Sequence, residues 1–306
     1  MAQKVSVIIP NFNGRGLLAR NLPQVIKHCK SCEIIVVDDA SCDDSVVFIR
    51  KNFKGVKLVR LNKNQGFAFA ANTGAKIASC NYLLFLNSDV APRPNFLNPA
   101  LKHFKNENVF AVALADLSHE NGKIVTRGRG GAFFSKGFLN HFAAATDRGE
   151  TFWVSGGSGL FDKKKFLMLA GFDLCYAPFY WEDIDLSYRA RLAGFKCIFE
   201  PLSKVDHFHE SGAIKKFHSP LFVKTVSYRN QLIFIWKNIS DPMLLASHLV
   251  WLPYHFLKAA LSFDLPFFLG FLWALLRLPT LIFYNQPQTL NYKLSDKEVL
   301  KNFGKS

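Results

Sequence analysis

Five apolar or aromatic residues, Tyr82-Leu-Leu-Phe-Leu86, run without interruption into Asn87-Ser88-Asp89. A stretch this short, apolar on both faces and closed by polar residues, reads as a strand buried in the middle of a sheet that delivers polar groups to its carboxyl end. In open α/β sheets ligands bind at that end. A carboxylate there suits a divalent cation held against a diphosphate, because Mg and Mn prefer hard oxygen ligands. Alone, Asn-x-Asp after a strand is more often a turn, so the rest of the chain decides.

The same pattern precedes it. Residues 4–9 are β-rich and stop at Pro10, and Asn11-Phe12-Asn13-Gly14 supplies a turn before a helix running to about Lys30. Glu33 to Val37 is a second apolar run ending in Asp38-Asp39, after which Ser41-Cys42-Asp43-Asp44 has the form of a capping box opening a helix to about Lys51. Val56 to Leu61 is a weaker third strand. Asn64-Gln65-Gly66 then leads into a small-residue helix, Phe67 to Ser79, whose alanines let it lie close to a sheet. This alternation predicts an α/β fold with a doubly wound, mostly parallel sheet and right-handed crossovers. Neither a dinucleotide fingerprint nor a P-loop is present. Leu160 stands where a nucleophile elbow after Gly156-Gly157-Ser158 needs glycine.

Further on, Pro94 to Phe104 reads as a helix and Val109 to Leu114 as a strand, and the glycine-rich stretch from Asp116 to Arg148 reads as loop. Strand character resumes around Ser155 to Gly159, and Lys163 to Ala170 is helical with Gly171 at its end. Glu182, Asp183 and Asp185 open another helix, where the dipole alone favours carboxylates. Tyr176, Phe179, Tyr180 and Trp181 precede them and are expected to flank them with flat apolar surface, as sugar sites do. Lys196 to Phe199 is a strand, and His207-Phe208-His209 follows as a possible return to a metal.

The net charge of +15 suits phosphate-rich ligands, nucleic acid or an anionic membrane. From Leu202 onward twelve Lys and Arg stand against six Asp and Glu, in the third richest in Phe, Leu and Trp, which favours a membrane surface. Residues 243–284 are apolar but interrupted by Pro253, Pro266, Arg277 and Pro279, so in-plane helices or a shallow hairpin are expected over two full spans, with a packed helical bundle as the alternative. Cys29 and Cys32 form a lone C-x-x-C with no partner pair at zinc spacing, and the opening Met-Ala-Gln-Lys lacks a signal-peptide core. Reduced thiols in a cytosolic setting are the expectation.

Five stretches in order resemble the family 2 glycosyltransferases, inverting enzymes of GT-A fold that use nucleotide sugars, and especially their rhamnosyltransferase-like branch. They are Val5 to Asn13, Val36 to Ser41, Asn64 to Phe67 with Asn72, Leu84 to Asp89, and Trp181 to Leu186 with Arg189. The resemblance covers residues 1 to about 210. It implies that Pro10, Phe12 and Asp39 line a base and ribose pocket, that Asn13, Asn64, Gly66, Asn72, Asn87 and Ser88 lie along the nucleotide sugar, and that Asp89 with His207 holds Mn or Mg. Asn87 departs from the family's usual Asp and removes one charge from that site. By the same resemblance Asp183 is the catalytic base, and Gly156, Gly157, Trp181 and Glu182 belong to the acceptor side. The implied enzyme is a metal-dependent hexosyltransferase that moves a sugar from a UDP- or dTDP-linked donor to a glycan or lipid-linked acceptor. Residues 1–214 would form the catalytic domain and 215–306 a helical appendage, peripheral or monotopic on the cytoplasmic side of a cell membrane, with no nucleic-acid partner. A nucleotidyltransferase making nucleotide sugars would want a glycine- and lysine-rich loop after the first strand, where only Gly14, Arg15 and Gly16 occur. A basic nucleic-acid-binding module is the third reading.

Overall fold

The computed structural model describes residues 5–120, 122–147, 149–208, 217–282, 292–301 and 303. His209, the expected boundary at 214, Tyr284 and part of the tail after Gln286 fall outside them.

The first ninety residues alternate as their apolar runs require: β1 (Val5–Asn11), α1 (Arg15–His28), β2 (Glu33–Asp38), α2 (Ser45–Asn52), β3 (Lys57–Arg60), α3 (Phe67–Ile77) and β4 (Tyr82–Leu86). Their strands pair in the order β4-β1-β2-β3, all parallel, so their carboxyl ends open on one edge. β1, β2 and β4 are buried almost throughout, which is why they lack polar alternation. α3 lies close to them because its face is Ala70, Ala71, Gly74 and Ala75; a Cβ on Gly74 would stand 2.4 Å from Ile8 Cγ2.

The sheet continues through β5 (Val90–Pro92), α4 (Leu97–Lys102), β6 (Val109–Glu120), β7 (Lys123–Arg127), β8 (Gly130–Ser135), β9 (Phe138–Ala143), β10 (Gly149–Glu150), β11 (Ser158–Asp162), α5 (Lys163–Met168), α6 (Glu182–Leu192) and β12 (Lys196–His207). β11 runs antiparallel between β4 and β6, and β12 runs parallel to β6, giving a mixed order β10-β12-β6-β11-β4-β1-β2-β3. β5 pairs with the end of β12 and β7 with the end of β6, while β8 and β9 form a separate hairpin. One face of the sheet is covered by α3, α5 and α6, the other by α1, α2 and α4.

Two expectations are corrected. The stretch from Asp116 to Arg148 is largely strand, because Gly130 and Gly131 lie within a strand and serve close packing: a Cβ on Gly130 would strike the Trp153 ring, and one on Gly131 would meet Phe142 at 2.4 Å. No capping box forms at Ser41. That hydroxyl donates to Asp38 Oδ1 at 2.6 Å, and α2 starts only at Ser45.

The carboxyl-terminal part is helical: α7 (Pro220–Asn238), α8 (Pro242–Leu261), α9 (Leu265–Leu275), α10 (Leu278–Ile282) and α11 (Asp296–Lys301). Ser219 and Asp241 cap α7 and α8 through their side-chain oxygens, and each helix then begins with proline. α9 crosses α7 at Gly270, where a Cβ would stand 2.9 Å from Thr225 O and 3.0 Å from Arg229 N. A third core joins β9, α6, α7, α8 and α9 through Leu139, Tyr188, Phe234, Ala259 and Phe267. Among the described residues no helix is long and apolar enough to cross a membrane.

α8 buries a histidine and exposes apolar side chains. His248 is buried, with Nδ1 2.7 Å from Gly137 O, while Trp236 Nε1 donates to its Nε2 at 3.1 Å. The indole donor fixes the neutral tautomer that donates from Nδ1, and burial lowers the imidazole's pKa. Leu249, Val250, Leu257 and Leu261 face outward at 61–75% exposure, and Phe263 in the following turn reaches 93%.

Candidate active site

The carboxyl ends of β1, β2 and β4 and the amino end of α6 enclose a cleft of about 730 Å³. At its floor, Asn11 Nδ2 donates to Asp38 Oδ1 at 2.9 Å, tying β1 to β2. Pro10 and Phe12 line the cleft beside this tie, and Phe12 meets Phe217 edge-on at 5.7 Å. Asp39 is 4% exposed and accepts from Gln65 N at 2.9 Å and Gly66 N at 2.8 Å. Burial nonetheless raises its pKa. Gly66 has φ 86° and approaches Pro178 O, so both a left-handed backbone and a missing side chain are needed there. Asn64 lines the same wall.

Asn87, Ser88 and Asp89 follow β4 into the cleft, opposite Gly156 and Gly157. Asn87 N donates to Gly157 O at 2.9 Å, and a Cβ on Gly157 would stand 2.5 Å from the Asn87 amide. Asn21 Nδ2 secures the turn by donating to Ser88 O at 2.8 Å. β5 starts directly after Asp89 and pairs with β12 as Val90↔His207, which brings the imidazole to the carboxylate. His207 Nε2 lies 3.3 Å from Asp89 Oδ1, and its Nδ1 lies 2.6 Å from Asp116 Oδ2. Burial opposes a charged imidazole, but the Asp116 and Asp89 carboxylates together raise its pKa to about 9.

This arrangement fits a divalent cation. Asp89 Oδ1 is buried without a hydrogen-bond partner, although the imidazole Nε2 is near. Asp116 on Nδ1 directs the other ring nitrogen toward Asp89, as carboxylate–histidine–metal triads do. Asp89 and His207 would thus supply two ligands to such a cation, with further positions left to a diphosphate and water. Among the described residues no group of three His, Cys, Asp or Glu forms a closed cage.

Across the cleft, Asp183 accepts from Ile184 N at 2.8 Å. Burial raises its pKa to about 6 against the pull of backbone N–H groups from Ile184, Asp183 itself and Gly156. Glu182 beside it is 8% exposed and raised well above the usual range by burial and by the Asp183 charge. Asp185 is turned out of the cleft. It is wholly buried and lies 2.7 Å from Arg189 Nη2 and 2.8 Å from Lys237 Nζ, and these cations overcome burial and hold its carboxyl far below the ordinary range.

Three residues expected at the site stand outside the cleft. Asn13 shapes the turn before α2, accepting from Cys42 N at 2.7 Å. Asn72 pairs with the Phe172 backbone, accepting from its N at 3.0 Å and donating to its O at 2.7 Å. Trp181 is 4% exposed and packs on Phe234. Of the expected aromatic flank only Phe179 and Tyr180 face the cleft; Tyr176 is buried and donates its hydroxyl to Asp185 Oδ1 at 2.9 Å. Sequence reasoning missed Asp116, Phe217 and His218. Asp116 carried a usable signal, since it ends the apolar run Val109 to Ala115 as Asp38 and Asp89 end theirs.

Comparison with known proteins agrees with this fold. The pre-mycofactocin glycosyltransferase of Mycobacterium tuberculosis (strain ATCC 25618 / H37Rv) is 27% identical over 209 residues, covering 68% of this chain and 43% of that protein. The chain thus spans less than half the length of that relative. Crystalline GalNAc-T7 with UDP, GalNAc and Mn2+ superposes with a TM-score of 0.62 at 19% identity, over 77% of this chain and 48% of that one. The mannosyltransferase PcManGT from Pyrobaculum calidifontis, with GDP-Man and Mn2+, gives 0.55 at 18% identity, over 93% and 82%. The sequence profile described as glycosyl transferase family 2 matches residues 6–166, more than half of the chain, so the protein belongs to glycosyl transferase family 2.

Proposed function

We propose that the protein is an inverting glycosyltransferase that moves a sugar from a pyrimidine nucleoside diphosphate donor, UDP- or dTDP-linked, to a hydroxyl of a glycan or lipid-linked acceptor. One observation carries the reading: the Asp39 wall, the Asp89–His207 pair and Asp183 all face a single cleft. Asp39 accepts from the nucleobase, with Pro10 and Phe12 against base and ribose. Asn64, Gly66, Asn87 and Ser88 follow the diphosphate and sugar. Asp89 and His207 hold Mn or Mg, which when bound supplies Lewis-acid neutralisation of the leaving diphosphate. Asp183, with a pKa near 6, takes the proton from the acceptor hydroxyl as that oxygen attacks the anomeric carbon. A single displacement inverts the centre. The acceptor enters along Gly156, Gly157 and Glu182.

The outward apolar face of α8 and its turn supports attachment to the cytoplasmic leaflet, in plane rather than spanning. Exposed Lys258 on α8 complements anionic headgroups there. Two assays test the whole reading. Nucleoside diphosphate should appear from a nucleotide sugar only when acceptor is present, with inverted product configuration; release independent of acceptor, or retained configuration, removes it. Flotation with vesicles containing phosphatidylserine should be lost in Leu257→Glu/Leu261→Glu while transfer to a soluble acceptor persists; undiminished flotation removes the membrane face.

A further inference from the structure

α7 carries two polar pairs, Arg229-Asn230 and Lys237-Asn238, about two turns apart and therefore on one side of the helix. All four side chains are buried. Each reaches the segment that ends in Asp183 and α6. Asn230 Nδ2 lies 2.8 Å from Tyr176 O, 2.9 Å from Phe179 O and 2.8 Å from Tyr180 O. Arg229 donates from Nη2 to Tyr176 O at 3.3 Å and to Ala177 O, and from Nε to Asn230 Oδ1 at 2.9 Å, which aims the amide nitrogen at the three carbonyls. The second pair holds the far side of the segment: Lys237 Nζ lies 2.6 Å from Asp173 Oδ2, and Asn238 Nδ2 donates to Asp185 Oδ1 at 2.8 Å.

Between these anchors the backbone takes a form it would not keep by itself. Tyr180 has φ 70° and Trp181 φ 79°, two successive large side chains in the left-handed region. This kink turns Trp181 into the core, so that Glu182 and Asp183 emerge into the cleft while Asp185 faces α7. A helix that only packed against the catalytic unit would present apolar residues here. α7 instead buries one cation and one amide against the carbonyls immediately preceding the cleft carboxylates.

We propose that Asn230, aimed by Arg229, is a positioning residue for Asp183, fixing the 176–181 backbone so that the carboxylate meets the acceptor hydroxyl. The inference rests on Asp183 being the base. Asn230→Ala, Arg229→Met and Arg229→Lys in the full chain, assayed with saturating Mn, test it. Asn230→Ala and Arg229→Met should lower kcat by about 10- to 100-fold, the scale of a displacement near 1 Å, with donor KM within about threefold. The acid limb of kcat should move down from near pH 6, because a loosened segment admits water to the carboxylate. Arg229→Lys, which keeps a donor, should recover most of the loss. A folded Asn230→Ala with unchanged kcat, or a kcat loss that matches the fall in folded fraction while the acid limb stays near pH 6, overturns the proposal. Should Asn230→Ala fail to fold, the Arg229 pair decides by the same criteria. Near-normal transfer by Asp183→Asn would remove the base assignment and this inference with it, whereas normal Asn230→Ala beside an inactive Asp183→Asn removes this inference alone.

Discussion

Carboxylates lining the cleft and carboxylates buried behind it are held by different means. On the β1–β2 side, Asp39 is met by two backbone amides of one short loop. Behind the cleft lining, Asp185 of α6 is met by a guanidinium and an ammonium from two helices, and Asp116 of β6 by an imidazole ninety-one residues away in sequence. Backbone amides survive almost any substitution. Buried ion pairs do not, because removing one partner leaves a charge in a medium that cannot solvate it. The amide-held carboxylate should therefore tolerate side-chain changes that the ion-paired ones cannot.

Substitutions can break or sharpen this contrast. The largest effect is expected from Asp183→Asn, which keeps shape and removes basicity: transfer should fall by about 10²- to 10⁴-fold with donor binding retained. Wild-type kcat should rise with pH through about 6 as Asp183 loses its proton, and this limb should vanish in the variant. Side-by-side assay with Asp185→Asn decides the assignment; normal turnover in Asp183→Asn beside collapse in Asp185→Asn would mean the wrong carboxylate was chosen.

Lys237→Met should cost roughly 3–5 kcal/mol in urea unfolding, since Asp173 and Asp185 lose their shared cation. The wild-type Asp185 contribution has a definite sign. Its folded pKa is depressed, so the stabilisation is present above the ordinary carboxylate pKa and is lost as pH falls through the depressed value. A variant as stable as wild type at pH 7 would end the contrast.

Asp116→Asn should weaken Mn binding, read by calorimetry, by about 10- to 100-fold, as losses behind a metal-bound imidazole do. The smallest change belongs to the amide-held carboxylate: Asp39→Asn should raise donor KM by about tenfold, one charge-assisted hydrogen bond, with folding intact. If Asp39→Asn unfolds the chain, amide support has been overrated.

Sequence legibility divides along the same line. Pro10, Phe12, Asp39, Asn64, Asn87 and Asp89 each lie at or a few residues beyond the end of a strand of the parallel half, so the local strand pattern puts them at the carboxyl edge, while their roles there come from the family resemblance. Asn13 and Asn72 lie in the same stretches, yet their amides are spent on Cys42 N and on the Phe172 backbone, contacts no local pattern encodes. The hairpin β8–β9 was hidden because Gly130 and Gly131 read as turn residues and serve as seats for aromatic rings. α7 read as part of an appendage because Arg229, Asn230 and Lys237 show no purpose until the carbonyls and carboxylates they meet, some fifty residues earlier, are in place.

The three-residue β5 makes the metal pair a report on chain assembly. Asp89 and His207 meet only because Val90, Ala91 and Pro92 take up the last three rungs of a strand that has already run the length of β6. A slip of one residue would send the imidazole to the opposite face of the sheet. A chain that has not paired β12 to its end would therefore lack the proposed Asp89–His207 cation site, and inserting one alanine between Lys204 and Val205 should yield a protein that is folded elsewhere yet does not bind Mn, read by calorimetry.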